Sequence, residues 1–71
     1  MRAADAATTL WMVRVSEEEI VCVARLLRHG VQVEIQYNGS MLMSRIFQNG
    51  DEALTWAEEK KTYWRTGGPV L

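Results

Sequence analysis

Ser16-Glu17-Glu18-Glu19-Ile20-Val21-Cys22-Val23-Ala24-Arg25-Leu26-Leu27-Arg28-His29-Gly30 decides the fold, because the stretch supports two structures. As a helix, Ser16 and Glu19 form a capping box, Arg28 and His29 suit the last turn, and Gly30 stops it. As a strand, it carries the β-branched cluster Ile20, Val21 and Val23, with His29-Gly30 as a tight turn into the next segment. Pairing separates the two. A turn at His29-Gly30 sets Arg25 opposite Glu34, Leu26 opposite Val33 and Ala24 opposite Ile35, so charges and apolar faces agree. The strand is therefore the preferred reading, and a helix over 16–29 is the alternative.

The segment downstream is a hairpin. Val31, Val33, Ile35 and Tyr37 alternate with Gln32, Glu34 and Gln36, the period-two pattern of a half-buried strand. Asn38-Gly39 is the pair a type I′ turn prefers, since both positions need positive φ. With Ser40 to Phe47 as the return strand, Tyr37 faces Ser40, Ile35 faces Leu42, Val33 faces Ser44 and Val31 faces Ile46. Gln36 then meets Met41, Glu34 meets Met43 and Gln32 meets Arg45. Upstream, Leu10 to Val15 reads as a strand with Trp11, Val13 and Val15 on one side and Leu10, Met12 and Arg14 on the other.

The C-terminal segment is an amphipathic helix from about Asp51 to Arg65, capped by Asn49 or Asp51. Ala53, Trp56, Ala57, Lys60 and Trp64 share one side, flanked by Leu54 and Tyr63. Thr55, Glu58, Glu59, Thr62 and Arg65 share the other, and the Glu58–Lys61 spacing allows a salt bridge. Gly67-Gly68-Pro69 ends the helix. The expected fold is α+β: a four-stranded antiparallel meander with one C-terminal helix packed on one face. The alternative is β-α-β-β-α with residues 16–29 helical. A flexible tail over 1–8, a single domain over 9–66 and a C-terminal tail over 67–71 complete the organisation.

Several of these pieces recur together elsewhere: Trp11 in the first strand, Cys22 in an apolar segment, and Gly30 leading into Val31-Gln32-Val33-Glu34. Asn38-Gly39, Ser44-Arg45-Ile46-Phe47 and Ala53-Leu54-Thr55-Trp56-Ala57-Glu58-Glu59 follow. In this the chain resembles small uncharacterised bacterial proteins, a domain of unknown function, over about residues 10–66. The resemblance implies the four-strand fold and carries no activity, ligand or cofactor.

Composition narrows function. Seventy-one residues, 48% hydrophobic and 24% charged, make one globular domain with a thin core. One cysteine and one histidine leave no intramolecular disulfide and no Cys/His zinc cluster, so association is the remaining way to supplement that core. Eight basic against nine acidic residues give a net charge of −1, without the electrostatic footprint of a nucleic-acid or membrane-surface binder. The N-terminus lacks the apolar region of a signal peptide, and Ile20 to Leu27 is too short to span a bilayer, so the expected location is cytoplasmic.

The meander predicts a core of Trp11, Val13, Val15, Cys22, Ala24, Leu26, Val33, Ile35, Leu42 and Ile46 beneath Ala53, Trp56, Ala57 and Trp64. It leaves Leu10, Met12, Val21, Val23, Leu27, Met41 and Met43 on the uncovered face, around Arg25, Glu34 and Arg45. One helix cannot cover both faces, and a contiguous apolar patch on a small soluble chain marks a contact surface. Val23, Leu27, Met41, Met43 and Arg45 are the candidate interaction residues, with a homodimer or another protein as the partner. Cys22 between valines reads as inert packing and His29 as a solvated turn residue. Glu17-Glu18-Glu19 lacks the shaped loop a calcium site needs, and Gly67-Gly68 is explained by the helix stop. No catalytic, metal or cofactor residues are assigned, and no small-molecule substrate. The expectation is a non-catalytic, self-associating interaction module. The alternative is a small nucleic-acid-binding or regulatory protein using Arg14, Arg25, Arg28, His29 and Arg45 as a local basic patch.

Overall fold

The chain runs β1 (Thr8–Val15), β2 (Glu18–Leu27), β3 (Gly30–Tyr37), β4 (Ser40–Phe47) and α1 (Gly50–Arg65) in a computed structural model that describes residues 7–65. The strands form one antiparallel sheet in the order β1-β2-β3-β4, a meander whose edges are β1 and β4. Residues 16–29 are thus not a helix. Within the sheet, the β-branched residues of β2 find partners on both sides, which a capping box at Ser16 cannot offset. β1 starts at Thr8, within the tail expected over 1–8; residues 1–6 of that expectation and the Gly67-Gly68-Pro69 stop lie outside the described residues.

Three turns set the registers. Ser16-Glu17 joins β1 to β2, with Ser16 at φ 57°. Asn38-Gly39 joins β3 to β4 with φ 51° and 89°, the doubly positive pair a type I′ turn requires. The Asn38 side chain also accepts a hydrogen bond from the Glu19 amide at 2.9 Å, tying this turn to the start of β2. The β2–β3 turn differs from expectation. It consists of Arg28-His29, and Gly30 is already the first residue of β3, paired with Leu27. The register therefore moves by two residues: Arg25 faces Gln32, Leu26 faces Val31, Ala24 faces Val33 and Cys22 faces Ile35. A two-residue shift keeps every side chain on its predicted face, which is why the sequence pattern could not detect it.

A bulge in β4 has the opposite consequence. Gln36 still pairs with Met41, but Ile35 pairs with Met43, and the extra residue is Leu42. From there on the strand is displaced by one, so Glu34 faces Ser44, Val33 faces Arg45, Gln32 faces Ile46 and Val31 faces Phe47. A one-residue displacement exchanges the faces of the whole downstream strand. Met43, Arg45 and Phe47 turn to the helix side, while Ser44 and Ile46 turn away. A second bulge, between Thr9 and Trp11, lets Leu10 pack against the core instead of lying on the open face.

The core is Trp11, Ile20, Cys22, Val33 and Ile35 from the sheet, under Ala53, Ala57 and Trp64. Small Ala53 and Ala57 let the helix axis come close, and the Trp11 indole donates to the Ala57 carbonyl at 2.9 Å. Phe47 packs on Trp56 and Tyr37 on Trp64, closing the two ends of the layer. Lys60 lies in the apolar stripe with its ammonium over the Trp56 ring, 5.4 Å from the centroid. Asn49 is the cap: its side chain accepts from Glu52 at 2.9 Å. Leu26, Leu42 and Ile46 were expected inside and are exposed, and Ile20 takes a core place that expectation omitted. Ile46 leaves because of the bulge. Leu26 is on the helix side of the sheet yet 79% exposed, near the turn end of the second strand.

Candidate interaction surface

The sheet face away from the helix is built from alternate residues of all four strands: Met12 and Arg14 of β1, Val21, Val23, Arg25 and Leu27 of β2, Gln32, Glu34 and Gln36 of β3, and Met41, Ser44 and Ile46 of β4. Its centre is polar and paired. Arg25 Nη1 lies 2.6 Å from Glu34 Oε1, reaching diagonally because Gln32 occupies the position directly opposite. Gln36 Nε2 donates to the second Glu34 oxygen at 3.2 Å, and Gln32 Nε2 donates to Ser44 Oγ at 2.9 Å. The hydrogen bond from Arg25, then that from Gln36, holds the Glu34 carboxyl below the usual glutamate range, against the opposing effect of burial. Val23 is buried beside this pair without belonging to the helix-side core.

Around the polar centre the face is apolar and open. Met12 is 57%, Met41 62% and Ile46 63% exposed, and Leu27 adds a fourth side chain at the far end of β2. These residues come from both edge strands and the second strand, so they ring the centre instead of forming one stripe.

Of the residues singled out from sequence, Val23, Leu27 and Met41 share this face. Met43 and Arg45 do not. Met43 packs against the helix-side core, and the Arg45 guanidinium lies over the Phe47 ring, 5.4 Å from the centroid. Glu34 therefore has a single arginine partner, not two. Ile46 is the surface residue that sequence reasoning placed in the core. Its only signal was the bulge, which a strict two-residue hairpin register hides.

The arginines of the alternative basic patch are not gathered. Arg14 lies 3.8 Å from Glu19, Arg25 is on Glu34, Arg45 is on the helix side, and Arg28 and His29 sit in the β2–β3 turn. These are the ion pairs among the described residues, and Glu58 and Lys61 do not form one. Cys22 is buried, and burial pushes its thiol up to about 11, so it is protonated near neutrality. The Glu18 carboxylate facing Tyr37, then burial, raises the Tyr37 hydroxyl pKa. Among the described residues no group of three His, Cys, Asp or Glu side chains could hold a metal ion, and no helix is long and apolar enough to cross a membrane.

No family model, curated protein or solved structure matches this chain, so the resemblance drawn from its motifs stands on those motifs alone.

Proposed function

We propose that the protein is a non-catalytic interaction module that forms a two-fold homodimer through the open face of its sheet. The observation that carries this reading is the ring of exposed Met12, Leu27, Met41 and Ile46 around a central Arg25–Glu34 pair. Apolar side chains exposed together on one face gain by removal from water, about 25 cal/mol per Å². Flexible methionines adapt to a second surface of the same shape. The central charges already neutralise each other, so covering them does not strand a lone ion.

Size agrees with a second copy as the partner. Four strands ~4.8 Å apart and about eight residues long present roughly 500 Å² in projection. Side-chain relief raises the accessible area toward the ~800 Å² each partner contributes to a standard interface. An isologous pairing uses the same patch twice, as two-fold interfaces do. The reading places the dimer in the cytoplasm, where the lone buried Cys22 stays reduced.

Sedimentation equilibrium from low to high micromolar concentration tests it. The expected result is a dimer mass for the natural chain and a monomer mass for the Met41→Asp, Ile46→Asp double variant. Leu54→Asp, on the exposed flank of the helix, should remain a dimer. A natural chain that stays monomeric at high micromolar concentration, or a double variant that keeps the dimer mass, overturns the proposal.

A further inference from the structure

A second surface lies on the other side of the molecule, where the edge strand β4 meets the start of α1. Arg45 and Phe47 form one wall of a groove of about 480 Å³, and Asp51, Glu52, Trp56 and Glu59 form the other. Among the described residues β4 is an outer strand, and the backbone on its far side has no strand partner. The bulge at Leu42 limits the regular part of this edge to Met43–Phe47. A strand added there would send alternate side chains toward the helix side, and those level with Arg45 and Phe47 would enter the groove.

The groove's charge selects the occupant. Three carboxylates line it against one guanidinium; that guanidinium rests on the Phe47 ring, and the Lys60 ammonium rests on the Trp56 ring. Among the described residues, neither Asp51, Glu52 nor Glu59 is in an ion pair, whereas Glu19 and Glu34 on the open face are. Phe47 of one wall and Trp56 of the other meet with ring centroids 5.6 Å apart. Carboxylates outside any ion pair, beside an aromatic contact, favour a long aliphatic stem ending in a cation.

We propose that β4 and this groove dock an extended peptide segment whose alternate residues are lysine or arginine. The segment pairs its backbone with Met43–Phe47 and lays its cationic side chains against the three carboxylates. This surface is separate from the open face and does not depend on dimer formation.

The full chain, labelled with ¹⁵N, can be titrated with a capped hexapeptide that alternates lysine with valine. Amide shifts should concentrate in Met43–Phe47 and in the first turns of α1. The same peptide with glutamate for lysine, or N-methylated at alternate residues, should not saturate. In the Asp51→Asn, Glu59→Gln variant affinity should fall about fivefold, the scale of two surface ionic contacts, whereas Glu58→Gln on the outer helix face should leave it unchanged. Each substitution is at an exposed position, and a retained dispersed spectrum verifies the fold. Shifts that map to β1 or to the open face, equal binding of the glutamate peptide, or no shifts at millimolar lysine peptide overturn the proposal.

Discussion

A methyl group at position 30 would strike the Phe47 carbonyl oxygen on the neighbouring backbone, and Ile46 stands just behind it. Gly30 is therefore required for the close approach of β3 to β4, and its φ is not the reason, since Gly39 is the glycine at positive φ among the described residues. Backbone cannot swing aside as a flexible side chain can. Gly30→Ala should lower stability by about 1–3 kcal/mol, the usual cost of overpacking, in a urea unfolding titration. A loss below a few tenths of a kcal/mol would show that the strands separate there without cost. The two buried indoles show a related contrast. Trp11 donates to the Ala57 carbonyl, but the Trp64 Nε1 has no hydrogen-bond partner among the described residues, and ring contacts with Tyr37 and Tyr63 hold Trp64 in place.

At the scale of elements, β2 and β3 owe their pairing to apolar contacts, and the Arg25–Glu34 bridge adds a pH-dependent contribution. The Glu34 carboxyl is held below its ordinary value of 4.5 in the folded chain. Its contribution is therefore full above that value and is lost as pH falls through the depressed folded pKa. Glu34→Gln should be less stable than the natural chain at pH 7, and the gap should close on acidification below about pH 4. Equal pH slopes for the two proteins in thermal unfolding would mean that the pair contributes nothing. The same pairs show how far the sequence could be read. Alternation in Val31–Tyr37, the Asn38-Gly39 turn and the helical stripe Ala53-Ala57-Trp64 each follow from local periodicity, and each is present in the structure. Charge matching between Arg25 and Glu34 supported β2 as a strand and survived a two-residue shift, because the long arginine reaches diagonally. The bulge at Leu42 was not legible, since no glycine or turn residue marks it. It alone moved Met43 and Arg45 off the candidate surface and brought Ile46 onto it.

For the whole molecule, the proportions of the core bear on association. Among the described residues eight buried side chains form the cluster between sheet and helix, and two of them are alanines. Such a core leaves a small margin over the chain's conformational entropy, as is usual below about 80 residues. Closure of the open face by a second copy adds apolar burial and makes stability depend on concentration. For a dimer that unfolds to separate chains, a hundredfold rise in concentration is worth RT ln 100, about 2.7 kcal/mol. The urea midpoint of the natural chain should therefore climb steadily between one and one hundred micromolar. In Met41→Asp, Ile46→Asp it should be flat, because both positions are exposed in the single chain and neither supports the helix-side core. The two curves should converge only below the dissociation constant of the dimer, where the natural chain is also monomeric. A variant midpoint well below that limit would place Met41 and Ile46 in the fold of the single chain. A concentration-independent midpoint for the natural chain would mean that the helix-side core is sufficient without a partner, and that the open face does not stabilise the fold by self-association.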